Sequence, residues 1–460
     1  MRITFICAAG IAVLLPLTAQ ARLQHGIRFR AAEPITVPAG EDAGLQAFVF
    51  ADVNKDDRPD LVVINRDEDG VLVHIGRGDG TFDPPQFYEL DDTPTAVAVA
   101  DLSSPFASDA AGDIDGNPDI IVADEDGFAT LLLGRGDGGF DPPEQDLSDV
   151  LDSSELHGLV VADFDHNGRL DLAFIDLFDE VYFLCNVGGS FAACLNDVIE
   201  TAGTFPIAIA GGDFDGDMNP DIAVLNQDSH DLSPIFGNGD GSFRPVDQTV
   251  PTAAEGNQEP RDLVVGRFDA DANDDLIVGN FEQFSDLVMT ELNGLSNRRF
   301  RRQTLTAPFG LAALAAADFD ADANQDLLMV VGETTDISAL SRGDGSGGFL
   351  QPVVASGFPA GAFRAASVGD LDGDSKPDVG LLSADGSTIH VLLNDTREVC
   401  AGDCNENNAV TIEELVLAVS IALGGTPAGM CESVDVDGSN TVAINELIAA
   451  VGRALSGCSS

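Results

Sequence analysis

The sequence predicts an all-β fold, a seven-bladed β-propeller of four-stranded blades, followed by a small α-helical, EF-hand-like module. Three observations carry this expectation. An apolar run ending in a short aspartate loop recurs seven times at a pitch of roughly fifty residues. A glycine turn of the form Gly-x-Gly-Asp-Gly-x-Phe recurs between these loops. From Cys400 onward the phenylalanines stop and apolar residues follow helical spacing.

At the start of the chain, Arg2 and an apolar stretch up to Leu17, closed by Ala19, Gln20 and Ala21, read as a secretory signal peptide over residues 1–21. The expected location is therefore extracellular or at the cell surface. No later segment has the unbroken apolar length of a membrane span. Cys7 lies inside the signal, and the remaining cysteines are even in number, as suits disulfides in an oxidising compartment.

The first repeat shows how a blade over residues 22–398 is built. Leu45 to Asp52 is an apolar strand running into the aspartate loop, Asp60 to Asn65 leaves it as a second strand, and the turn RDEDG leads into VLVHIG as a third. GRGDGTF then turns into a fourth, outer strand. The last copy ends at IHVLLNDT with no phenylalanine strand behind it, whereas Ile27 to Val37 is an orphan strand at the other end of the chain, able to complete blade seven.

The loops place carboxylates or amides at positions 1, 3, 5 and 9. Calcium takes roughly six to eight hard oxygens, and alternate side chains plus one backbone carbonyl supply them from a single turn. The regular sets are Asp52, Asn54, Asp56 and Asp60; Asp163, Asp165, Asn167 and Asp171; Asp213, Asp215, Asp217 and Asp221, with the carbonyl of Asn219; Asp318, Asp320, Asp322 and Asp326; and Asp370, Asp372, Asp374 and Asp378. Two copies depart. The second offers Asp101, Ser103, Asp115 and Asp119 only if an insertion between Ser103 and Asp115 loops out. The fifth has Arg267 in first place, leaving Asp269, Asp271 and Asp275, so its guanidinium either substitutes for the ion or weakens the site.

These paired signatures resemble the FG-GAP or VCBS repeats of integrin α-subunit propellers and of many secreted bacterial proteins. The resemblance covers about residues 22–398. It implies a propeller with structural calcium, used in that family for adhesion, ligand binding and, in some members, polysaccharide cleavage.

Residues 399–460 form the second unit. Asp403, Asn405, Asn407 and Glu414 occupy positions 1, 3, 5 and 12 of one loop, and Asp435, Asp437, Ser439 and Glu446 those of another. Each loop leads into a helix, with Ile412, Leu415, Val416, Val419 and Leu423 on the first and Ile444, Leu447, Ile448, Val451 and Leu455 on the second. The two apolar stripes are expected to pack face to face. This duplication resembles a type I dockerin, which implies calcium binding and a cohesin-like scaffold as partner. The departure is at loop positions 10 and 11, where the family often has a Ser-Thr pair and this chain has Ile412 and Glu413, then Ile444 and Asn445. Cys400, Cys404, Cys431 and Cys458 bracket the module and allow three disulfide pairings; Cys185 and Cys194 straddle a blade-three turn and can bridge its hairpin.

A net charge of -56, with Lys55 and Lys376 the only lysines, makes nucleic acid or an anionic membrane a poor partner. The three Arg-Gly-Asp triplets at Arg77, Arg135 and Arg342 fall in the glycine turn, where Asn238 replaces the arginine in a fourth copy, and read as turn structure. No nucleophile elbow, zinc-hydrolase helix or phosphate loop is present, and no catalytic residue is assigned. The absence of tryptophan and the presence of only two tyrosines, Tyr88 and Tyr182, speak against a sugar site built on aromatic stacking. The expectation is a calcium-binding, non-catalytic module for an extracellular protein or polysaccharide, with a calcium-dependent polysaccharide-degrading lyase or hydrolase as the alternative. Its ligand surface is expected on the face away from the aspartate loops, on connections such as those starting at Asp83 and Gly279.

Overall fold

The structure is a computed structural model. It describes residues 6–7, 27–36, 44–102, 115–141, 145–147, 155–188, 191–244, 249–252, 259–281, 287–295, 298–307, 311–332, 338–350, 352–354, 357–396, 401–404, 409–427, 430–434 and 442–457. Seven antiparallel sheets follow one another along the chain, six of them built on four strands in sequence order and the seventh on three, with its outer strand taken from the N-terminal segment. Blade 1 comprises Leu45–Ala51, Asp60–Asn65, Gly70–His74 and Gln86–Glu89, and its second strand is buried throughout. In blade 5 the third and fourth strands, Leu287–Leu295 and Arg299–Ala307, are the longest regular pair. Every innermost strand carries a register shift near its start, between Leu45 and Ala47 in blade 1, between Pro260 and Asp262 in blade 5 and between Phe363 and Ala365 in blade 7, for example. A bulge at this point increases local twist, as a radial blade requires. Ile6–Cys7, within the expected signal peptide, pairs with Val160 and Val161 of the blade-3 inner strand.

Blade 7 is closed by strands from both ends of the propeller. Its own strands are Phe363–Gly369, Asp378–Ser383 and Thr388–Asn394, and the outer position is filled by Phe29–Ala31 and Ile35–Thr36. Arg28 N donates to Thr396 Oγ1 at 3.0 Å, and Asp395 N donates to Arg28 O at 2.9 Å. The orphan strand thus completes the ring.

The core is divided by blade. Among the described residues one apolar cluster lies between each pair of neighbours, such as Val160, Phe164, Phe183, Ile222 and Phe243 between blades 3 and 4. The phenylalanine after the first loop position meets the glycine-turn phenylalanine of the next blade: Phe164 with Phe243 at 5.2 Å, Phe214 with Phe300 at 5.8 Å and Phe268 with Phe349 at 5.6 Å. Phe319 of blade 6 meets Phe29 at 5.9 Å, so the N-terminal strand supplies the phenylalanine that blade 7 lacks. Such ring pairs contribute roughly 0.5–1.5 kcal/mol each beyond their buried area.

The C-terminal module has two helices, α1 (Ile412–Ala422) and α2 (Ile444–Ser456). Its core is Ala418, Ile421, Cys431, Val434, Val442 and Ala450, with Leu415 and Leu447 partly buried against it. This corrects the face-to-face expectation: Ile412, Val416, Val419 and Leu423, and Ile444, Ile448, Val451 and Leu455, are 45–84% exposed. Small side chains explain the difference. Ala418 and Ala450 allow close backbone approach, and a Cβ at Gly402 would lie 2.7 Å from that of Ala450, so the tight face is the alanine face and the bulky stripe turns outward. Cys404–Cys431 and Cys185–Cys194 are disulfides; Cys400 and Cys458 lie outside the described residues. No helix among the described residues is long and apolar enough to cross a membrane.

Candidate metal centres of the aspartate loops

Each loop joins the first strand of a blade to its second, and the glycine turn joins the third to the fourth, so both lie at one end of the blade. The ninth loop residue binds them together. One oxygen of Asp60 accepts the N–H of Val53 within the loop and the other accepts that of Gly76 in the glycine turn. Asp119, Asp221, Asp275 and Asp326 repeat this pattern, and Asp171 and Asp378 take their second N–H from Asn186 and Asn394 at the end of the third strand, all at 2.6–3.0 Å. A Cβ on Gly76 would collide with the carbonyl of Pro59, which is why the turn begins with glycine there.

Positions 1, 3 and 5 shape the loop itself. Asp52 accepts the amides of Asp56 and Asp57, Asp163 and Asp318 accept the corresponding amides of their own loops, and Asp370 accepts those of Gly373 and Ser375. Position 3 caps the amide of position 5, as Asp215 does for Asp217, and position 5 caps that of position 7, as Asp217 does for Asn219. These side-chain turns fold the loop around its own carboxylates and leave second oxygens and lone pairs directed inward.

Carboxylate oxygens lie within 4.8 Å of one another in the trios Asp213, Asp215 and Asp221; Asp269, Asp271 and Asp275; Asp318, Asp320 and Asp326; and Asp370, Asp372 and Asp374. Asp165 and Asp171 also approach each other, beside the disulfide-bonded Cys185. Burial, and then the crowding of like charges, raises the pKa values of these carboxyls and so weakens them as acids. Burial is the main cause for the ninth residues, which move up to about 6 at Asp60 and Asp275, about 7 at Asp119, Asp171 and Asp378, about 8 at Asp221 and about 9 at Asp326. In loop 2, burial and then the charge of Asp115 push Asp101 up to about 6. Ser103 lies outside the described residues, as do Asn405, Asn407, Asp435, Asp437 and Ser439 of the C-terminal module.

The residues fit a hard divalent cation. The donors are all oxygen, and Asp320, almost fully buried, has an Oδ1 with no hydrogen-bond partner; the same holds for Asp101 Oδ1. Calcium would be held by positions 1, 3, 5 and 9 and would supply the charge that these anions lack.

Two side chains, Arg298 and His166, were not visible as site chemistry in the sequence, and Arg267 takes a partner outside the trio. Arg298, on the glycine-turn side of blade 5, reaches into the blade-4 loop, its Nε 2.6 Å from Asp215 Oδ2 and its Nη2 3.2 Å from Asp217 Oδ2. Arg267 does not enter the blade-5 trio, as one alternative had it; its Nε is 3.0 Å from Asp274 Oδ1. His166, a spacer by position, links loops 3 and 4 through Asn219 Oδ1 at 2.9 Å. Two Arg-Gly-Asp turns close on their own blade edge, Arg77 pairing with Asp83 and Arg135 with Asp141, and in the copy with Asn238 that residue accepts from Arg244; the third, at Arg342, has its Nη1 3.7 Å from Asp320 Oδ2 in the loop of the same blade.

In the C-terminal module both position-12 glutamates sit at helix starts. Glu414 accepts the amides of Cys404 and Thr411, and Glu446 accepts that of Ala443. Asp403, Glu414 and Glu446 are all buried. On the face of the propeller away from the loops, Arg66, Glu125, Asp126, Glu155, His157 and Leu177 line a cleft of about 380 Å³ spanning blades 1 to 3. An Arg66–Glu125 ion pair crosses it, and burial holds His157 below its usual range.

The pattern of FG-GAP-like repeats matches residues 52–104, 113–174, 213–278 and 318–381, more than half of the chain. The chain belongs to the FG-GAP-like repeat family. Its FG-GAP blades are also similar in fold to solved structures. The crystal structure of BBS1N in complex with ARL6DN, soaked with lead, superimposes with a TM-score of 0.52 at 14% identity, covering 83% of this chain and 99% of that one. The same complex soaked with mercury gives 0.52 at 15% identity, over 80% and 97%. The periplasmic gluconolactonase PpgL of Pseudomonas aeruginosa gives 0.48 at 17% identity, over 67% and 85%. At these identities the likeness concerns the fold alone. No curated protein matches the FG-GAP chain.

Proposed function

We propose that this chain is a secreted, calcium-rigidified FG-GAP propeller that binds an extracellular protein or polysaccharide without catalysing its breakdown, and that its dockerin-like tail attaches it to a cohesin-like scaffold. The duplicated outward stripe carries the reading: Ile412, Val416, Val419 and Leu423 on α1 recur as Ile444, Ile448, Val451 and Leu455 on α2. Large apolar side chains exposed in a regular row mark an interaction surface. The oxygen-only cages and the partnerless oxygens of Asp101 and Asp320 support calcium. For the ligand, the cleft at Arg66, Glu125 and His157 is a recessed polar feature on the face expected to bind. The signal-like residues 1–21 support export.

Two measurements test this. Retention of the full chain on immobilised cohesin domains is expected to fall at least tenfold in Val416→Asp/Ile448→Asp with its melting temperature unchanged; equal retention refutes the docking surface. Calcium is expected to raise the melting temperature over that in chelator by mass action, and equal values refute the metal reading.

A further inference from the structure

In loop 5 the sequence pattern breaks. Arg267 stands where the other loops begin with an aspartate, and its side chain turns to Asp274. A carboxylate is restored from another element. Glu291 lies on the third strand of blade 5, opposite Ile277. At the equivalent register the other six blades place Val73, Leu131, Phe183, Pro234, Leu340 and Val391, all apolar.

Glu291 is fully buried, and its surroundings tie it to the loop. Its Oε1 accepts from Asn293 Nδ2 at 2.9 Å, and the same nitrogen lies 3.3 Å from Asp269 Oδ2. Glu291 Oε2 has no partner, nor has the Oδ1 of buried Asn293. Asp269, Asp271 and Asp275 bring carboxylate oxygens within 4.8 Å of one another beside this pair. The nearby guanidinium is that of Arg301, 3.6 Å from Asp269 Oδ2 and largely in solvent. A buried carboxylate with an unsatisfied oxygen is costly unless a cation completes its surroundings.

We propose that blade 5 holds a divalent hard cation, calcium, with a ligand set of its own, in which Glu291 from the third strand replaces the missing first aspartate and acts with Asp269, Asp271 and Asp275. This rests on the calcium reading above. The strand carboxylate keeps the number of anionic donors at four while moving one of them from the loop to the blade wall.

The test compares the full chain with Glu291→Leu, which restores the apolar residue of the other blades, and with Glu291→Gln, which keeps size and shape should the leucine variant fail to fold. Calcium bound per chain is measured by equilibrium dialysis and elemental analysis, and melting is followed with and without chelator. The expected result is one ion fewer per chain in either variant, with Glu291→Leu melting above wild type in chelator but gaining less from calcium. Unchanged stoichiometry together with an unchanged calcium-induced shift overturns the proposal while leaving the other loops intact. A wild-type chain that binds no calcium overturns the calcium reading as a whole.

Discussion

Asp326 accepts the backbone N–H of Gly343 at 3.0 Å, seventeen residues away, in a site where the carboxylate is completely buried. Its other oxygen accepts from Phe319. The loop and the glycine turn of blade 6 are thereby held by one side chain. Asn in its place has a single acceptor oxygen and presents an N–H₂ group to the second donor. Asp326→Asn is therefore expected to lower stability by roughly 1–3 kcal/mol, the cost of leaving a buried donor unpaired. Urea denaturation in chelator measures it, and a loss below about 0.5 kcal/mol would show that the second bond is dispensable.

The pH dependence of the calcium-free protein follows from the same residues. The ninth aspartates have folded values of about 6 to about 9, raised above the unfolded value of roughly 3.9. Between those limits the folded state holds more protons than the unfolded state, so stability falls as pH rises. In chelator the melting temperature is expected to decline from pH 5 to pH 8 and to level off above about pH 9. Saturating calcium should flatten the decline, because the cation favours the ionised form. A melting temperature in chelator that rises over this range would contradict the burial argument.

Arg298 places positive charge between Asp215 and Asp217 of the neighbouring blade, only about a quarter exposed. It occupies space and charge that a cation would use. Arg298→Ala should lower the melting temperature in chelator and increase the calcium affinity of one site by about an order of magnitude, read as a shift in terbium luminescence titration. An unchanged titration would mean that the guanidinium and the ion do not compete.

Phe29 is buried between Phe319 and Phe358 at the seam where the ring closes. Phe29→Ala is expected to cost roughly 3–5 kcal/mol, the usual range for truncating a buried phenylalanine. Limited proteolysis should then cut within residues 27–36 before any other segment. Cleavage beginning elsewhere would place the weak point away from the seam.

The blade pitch, loop positions and closing strand were legible because each repeats a local pattern: alternation for strands, alternate carboxylates for loops, glycine where the turn presses on a carbonyl. Arg298 was not legible, since it acts on residues 83 and 81 positions away, across a blade boundary that fixes which turn meets which loop. Glu291 reads as an ordinary charged residue until the third strands are aligned by register; then it stands out against Val73 and its counterparts. The helix stripes were seen, but periodicity gives the direction of an apolar face only relative to its own axis. Ala418 and Ala450 decided which face turned inward.

Closure of blade 7 by residues 29–36 sets an order of events during synthesis. That segment emerges before the rest of the propeller, yet its partners, Thr388–Asn394, are made more than three hundred and fifty residues later. Until then it is an unpaired edge, and unpaired edges invite association with other chains. Arg28 and Arg30, both exposed, place positive charge on that edge. The two ends of the propeller are thus its last parts to meet, and the circle is complete only when the final blade has been translated.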